Sequence, residues 1–72
     1  MNKEEFINYI ESIGFVSHDF FIEFYEYKGC SIYLYTNWYN FNIGSGLITY
    51  KYNDLTPLKQ FTRSIKLKEL LG

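Results

Sequence analysis

Phe20-Phe21-Ile22-Glu23-Phe24-Tyr25-Glu26-Tyr27-Lys28-Gly29-Cys30-Ser31-Ile32-Tyr33-Leu34-Tyr35 is the stretch that decides the fold. Its side chains alternate with period two on both sides of Lys28-Gly29, and it is rich in aromatic and β-branched residues. Both features mark a pair of strands joined by a turn. A three-residue connection, Tyr27-Lys28-Gly29, places glycine at the left-handed position of a type I turn with a bulge. That register pairs Phe24 with Ile32 and Ile22 with Leu34. Phe20, Ile22, Phe24, Cys30, Ile32 and Leu34 then share an inward face, and Phe21, Glu23, Tyr25, Tyr33 and Tyr35 an outward one. A two-residue connection, Lys28-Gly29, mixes the two sets, so the longer one is the expectation.

Working outward, residues 2–13 form the clearest helix. Phe6, Tyr9, Ile10 and Ile13 recur at i, i+3, i+4 and i+7, the spacing of an amphipathic helix. Asn2 and Glu5 make a capping-box pair, and the early glutamates suit the positive end of the helix dipole. Gly14 ends the helix, and Phe15 supplies the apolar contact that commonly follows such an end. Ser17-His18-Asp19 reads as a turn. Residues 36–46, with three Asn and two Gly, read as a loop, or as a strand end followed by one. Leu47 to Tyr52 read as a third strand whose inward face the sequence leaves open. Thr56-Pro57 opens a second helix, with Thr56 as N-cap and Pro57 at the first helical position. Leu58, Phe61 and Ile65 make its apolar stripe. Leu67, Leu70 and Leu71 fall nearly opposite, so either the helix breaks near Ser64 or its last turns bury a second face. The break is the expectation.

The order is helix, three antiparallel strands, helix: a single two-layer α+β domain over residues 1–72, with both helices on one sheet face. A chain of 72 residues buries only about 60% of its unfolded surface and has no room for a second domain. Apolar residues at 47% and charged residues at 21% favour folding over disorder. No apolar run is long enough to span a membrane, and Met1-Asn2-Lys3-Glu4-Glu5 is too polar and acidic for a signal peptide. One Cys permits no internal disulfide, and one Cys with one His permits no protein-only zinc site. The expected setting is a reducing cytoplasm, with no cofactor and no membrane partner.

Catalytic constellations are weak. Cys30 faces inward, where cysteine acts as a small hydrophobe, while His18 sits in a turn. A nucleophile pair needs the two within hydrogen-bond reach. The carboxylates Glu4, Glu5, Glu23 and Glu26 lack an apolar pocket that would tune one for acid–base work. Gly44-Ser45-Gly46 lacks the third glycine and the following helix of a phosphate cradle. An enzyme is therefore not expected.

Aromatic residues reach 22%, with eight Tyr and seven Phe. Phe, Tyr, Met, Ile, Asn and Lys, all written in AT-rich codons, supply half of the chain, and alanine is absent. Coding bias of an AT-rich genome, such as that of a low-GC bacterium, its phages or mobile elements, accounts for the raw count. Position must carry the functional argument. Phe21, Tyr25, Tyr33 and Tyr35 fall on the outward face, and Trp38, Tyr39 and Phe41 in the adjoining loop. Aromatic anchors among Asn, Ser and Gly resemble an antibody paratope in composition. The net charge of −1 divides into an acidic stretch, residues 1–26, and a basic one, residues 27–72. In the basic stretch Lys59, Arg63 and Lys66 lie at i, i+4 and i+7, a stripe that can track phosphates.

The expected function is a non-enzymatic protein-interaction module that occludes a site on a host or defence protein, of the kind a phage or mobile element encodes. Its partner-binding residues are Phe21, Tyr25, Tyr33, Tyr35, Trp38, Tyr39 and Phe41. The alternative is single-stranded nucleic-acid binding through the same face and the basic stripe. A single Arg, the acidic balance and Glu23 on the outward face count against it. Self-association through two tyrosine faces, giving a homodimer, is the third option.

Overall fold

The computed structural model describes residues 1–17, 23–42 and 46–71. Helix α1 spans Lys3–Ile13. Strands β1 (Val16–Ser17), β2 (Phe24–Tyr27), β3 (Cys30–Leu34), β4 (Trp38–Asn42) and β5 (Leu47–Lys51) follow, and helix α2 runs over Thr56–Leu71. The strands form one antiparallel meander in the order β1-β2-β3-β4-β5. The α+β class holds, but the sheet has five strands rather than three.

The start of α1 follows its local chemistry. The Asn2 side chain accepts from the Glu5 N–H at 2.8 Å, and Glu5 accepts from the Asn2 N–H at 3.1 Å. At the other end, the Gly14 N–H donates to the Glu11 carbonyl and the Phe15 N–H to the Ile10 carbonyl. This is the paired closure of a Schellman motif. Gly14 sits at φ 131°, and a Cβ there would lie 2.8 Å from the Tyr27 ring, so both its backbone and its surroundings require glycine.

The β2–β3 turn corrects the expected register. Tyr27 pairs with Cys30, Tyr25 with Ile32 and Phe24 with Tyr33. The connection is thus the two-residue Lys28-Gly29, with φ of 48° and 80°. Positive φ at both central positions is the type I′ turn, whose twist matches that of the flanking strands. The turn geometry prevails over the grouping of apolar residues, and each β2 side chain lies on the face opposite to the expected one. Phe24 is outward, not core; Tyr25 is inward, not outward. Phe20, Phe21 and Ile22 lie outside the described residues.

Residues 38–42 form a strand where the sequence reads as a loop. Trp38-Tyr39-Asn40-Phe41-Asn42 alternates with period two: Tyr39 and Phe41 are buried, while Asn40 and Asn42 are half-buried. The two asparagines hide the pattern because asparagine is depleted in strands. Asn40 faces Thr49, whose hydroxyl donates to the Asn40 side chain at 2.7 Å. The true turn is Thr36-Asn37, closed by the Tyr35 N–H donating to the Trp38 carbonyl at 2.9 Å. On β5, Tyr39 pairs with Tyr50 and Phe41 with Ile48, so Ile48, Tyr50 and Tyr52 belong to the inward set.

The core is Phe6, Ile10, Phe15, Cys30, Ile32, Leu34, Tyr39, Phe41, Tyr52 and Leu58, with Ile13 and Phe61 packed against it. Ring contacts place both helices on one sheet face. Phe6 of α1 lies 4.3 Å from Tyr39 and 5.0 Å from Tyr52, centroid to centroid. Phe61 of α2 meets Phe41 at 5.9 Å and Tyr27 at 6.2 Å. Helix α2 is continuous through Ser64, against the expected break. Its first intrahelical bond joins the Lys59 N–H to the Leu55 carbonyl, and the Asp54 carboxylate accepts from the Thr56 N–H at 3.3 Å. The capping function therefore falls before Thr56 rather than on it, and Thr56, not Pro57, is the first helical residue. Leu67, Leu70 and Leu71 remain exposed.

Candidate functional site: the uncovered sheet face

With both helices on one side, no helix covers the other side of the sheet among the described residues. It carries Phe24 on β2, Ser31 and Tyr33 on β3, Trp38, Asn40 and Asn42 on β4, and Leu47, Thr49 and Lys51 on β5, by the observed register. Its aromatic part is two linked pairs. Phe24 and Tyr33 face each other across the ladder at 4.8 Å. One step along β3, Tyr35 stacks on Trp38 at 5.6 Å with 18° between the ring planes. Tyr35 is 41% exposed and Trp38 42%. The tight Thr36-Asn37 turn holds this second pair together. Across β4 the face becomes polar, with the Asn40–Thr49 hydrogen bond at its centre and Lys51 opposite Trp38.

The structure separates the sequence-derived site residues. Tyr33, Tyr35 and Trp38 share the uncovered face. Tyr25 lies half-buried under the helices, where burial and the nearby Glu11 and Glu23 carboxylates push its hydroxyl pKa up. Tyr39 and Phe41 are core residues, not partner-binding ones, because β4 turns them inward. Tyr39 donates from its hydroxyl to the Asp54 carbonyl at 2.5 Å. Burial foremost, with the Asp54 carboxylate next, holds its pKa far above the ordinary value. Phe21 lies outside the described residues. Phe24, assigned to the core by sequence, joins the site instead. A type I′ reading of Lys28-Gly29 was the signal that identifies it.

Charge is also arranged differently from expectation. Glu23 pairs with Lys3 of α1, on the helix side of the sheet rather than on the aromatic face. Lys59, Arg63 and Lys66 are exposed on α2, turned away from the Leu58–Phe61–Ile65 stripe that meets the sheet. The basic stripe and the aromatic pairs therefore lie on opposite sides of the molecule. Tyr52 donates to the Tyr35 carbonyl. This contact ties the backbone at the Tyr35–Trp38 stack to the core beneath it.

Among the described residues, no three His, Cys, Asp or Glu side chains come together to hold a metal ion, and no helix is long and apolar enough to cross a membrane. Cys30 is a buried free thiol; burial raises its pKa, and the Lys68 ammonium partly offsets this. Comparison with protein-family models, with curated proteins and with solved structures finds no match to this chain.

Proposed function

We propose that this chain is a small non-enzymatic interaction module that grips a partner protein with the uncovered face of its sheet. The observation that carries the reading is the Tyr35–Trp38 stack: two large rings, each about two-fifths exposed, fixed by a two-residue turn and continued by the Phe24–Tyr33 pair. Interface energy concentrates in a few aromatic or Arg anchors, and rigid rings lose little conformational entropy on binding. The neighbouring Asn40, Asn42 and Thr49 supply a polar border for such an anchor. A domain of this size acts most simply by covering a site on its partner. An AT-rich coding pattern fits a phage or mobile-element inhibitor of a host or defence protein, and the free Cys30 thiol suits a reducing cytoplasm.

A second reading draws on the same stack. Exposed aromatic rings on an open sheet, with Lys51 beside Trp38, also suit stacking of unpaired bases. The basic stripe on the opposite side cannot add to that surface, which is why a protein partner is preferred.

The deciding experiment is capture of partners from the native host with wild type and Trp38→Ala, followed by affinity measurement on the captured protein. Trp38→Ala removes a stacked pair worth about 0.5–1.5 kcal/mol, so the fold survives. Binding weakens tenfold or more, equivalent to about 1.4 kcal/mol. Full-strength binding by a folded Trp38→Ala protein refutes the assignment. Sub-micromolar binding of single-stranded DNA or RNA at physiological salt promotes the second reading.

A further inference from the structure

On the helix side of the sheet, α2 and β5 do not close on each other. Between them runs a groove of about 680 Å³, within the range of roughly 300–1,000 Å³ of small-molecule sites. Its apolar lining comes from Phe41 and Ile48 on the sheet, Tyr50 on β5, and Phe61 and Ile65 on α2. Ile48 belongs to the inward set by register, yet it is 51% exposed. Phe61 of α2 meets Phe41 on the neighbouring strand β4 and leaves Ile48 half in solvent.

The rim is polar in an ordered way. Gln60, Ser64 and Lys68 line the groove at i, i+4 and i+8, which puts them in one row along α2. Phe61 and Ile65 sit beside that row, toward the sheet. The groove follows the helix from Pro57 to Lys68, about 16 Å at 1.5 Å per residue. It is uncharged at the Pro57 end and carries a net positive charge at the Lys68 end, where Lys28, Lys68 and Glu69 all line it. The Lys28 ammonium is held by Glu69 at 3.7 Å. The charge of Lys68 is felt inside the groove, since it acts on the Cys30 thiol in the lining.

We propose that this groove binds a free fatty acid, with the acyl chain laid along the apolar floor toward Pro57 and the carboxylate at Lys68. Three features match that one ligand class: an elongated apolar channel, a polar row along one side, and at one end only a net positive charge, with Glu69 on Lys28 and Lys68 in excess. A peptide strand would need its backbone satisfied along the groove, and a neutral amphiphile would leave the lysine end unused. The site lies on the opposite side of the sheet from Trp38, so it stands or falls independently of the partner face.

The test titrates ¹⁵N-labelled protein, read by amide chemical shifts, with sodium dodecanoate below its micelle concentration. Dodecyl maltoside and dodecyltrimethylammonium serve as neutral and cationic controls. The expected result is saturable, one-site shifts in residues 28–30, 41, 48, 50 and 60–69, with dodecanoate at least tenfold tighter than either control. Lys68→Gln, at an exposed position that leaves the fold intact, lowers dodecanoate affinity at least tenfold and leaves dodecyl maltoside unchanged. The proposal is overturned if the shifts do not saturate or centre on Tyr35 and Trp38. It is equally overturned if the three head groups bind alike or Lys68→Gln has no effect. Shifts that depend on protein rather than ligand concentration would assign the groove to a second copy of the chain and overturn it as well.

Discussion

Truncating Phe24 and Phe41 separately to alanine tests the register on which every face assignment depends. The two residues are both large, aromatic and strand-borne, but the structure gives them different environments. Phe41 is 3% exposed, between Phe15 at 6.5 Å and Phe61 at 5.9 Å. Removing a buried ring of this kind costs about 3–5 kcal/mol through lost burial and the cavity left behind. Phe24 is half-buried on the uncovered face, in contact with Tyr33. Its truncation forfeits the aromatic pair, about 0.5–1.5 kcal/mol, plus the apolar area it shields, for a total of about 1–2 kcal/mol.

The whole stability of a domain this size is about 3–5 kcal/mol. Phe41→Ala is therefore expected to be largely unfolded in buffer, while Phe24→Ala folds with reduced margin. Urea titration followed by far-ultraviolet circular dichroism separates the two. With a slope near 1 kcal/mol/M for a small protein, Phe24→Ala moves the midpoint down by about 1–2 M. The thermal midpoint falls by about 4–8 °C per kcal/mol. If Phe24→Ala proves the more damaging of the two, β2 is shifted by one residue. Phe24 would then face the core opposite Ile32, and the three-residue Tyr27-Lys28-Gly29 connection would be the correct one.

Two further outcomes follow from backbone geometry and tyrosine burial. Gly14→Ala is expected to cost about 1–3 kcal/mol from its left-handed backbone alone, with displacement of the Tyr27 ring added. Gly29→Ala, where nothing lies within 4 Å of the new Cβ, should be the milder change in the same urea titration. On the alkaline side, Tyr25, Tyr39 and Tyr52 have hydroxyl pKa values raised above the ordinary 10.0, by burial in the first place. Groups whose folded pKa is raised stabilise the fold fully below the unfolded pKa and lose that contribution as pH climbs toward the folded one. Stability should therefore be level up to about pH 10 and fall above it. Absorbance at 295 nm should show a late group of tyrosines ionising together with loss of circular dichroism, and a simple single-step titration of all eight would contradict the burial.

The parts of the fold legible in the sequence are those set by local chemistry. The Asn2–Glu5 box, the Gly14 closure and the Phe6–Ile10 stripe are each written within a few residues, and each appears in the structure. What the sequence concealed depended on choices between near-equal local signals. Lys28-Gly29 offers two turns. Grouping Phe24 with Ile32 favours one, while strand twist favours the other, and a single residue of slip exchanged the roles of Phe24 and Tyr25. In residues 38–42 the alternation is present, but asparagine at the outward positions weakens the strand signal, so the sequence presents Tyr39 and Phe41 as exposed loop aromatics. Composition described the surface and periodicity described the core, and at β4 the two conflicted. The groove beside α2 had no local signature, because it arises from the distance between a helix and a strand. The split of α2 into two apolar faces suggests a break near Ser64. The helix instead runs on through Ser64. Its inner stripe is shared between core and groove, its polar row forms the rim, and the second apolar face is left in solvent.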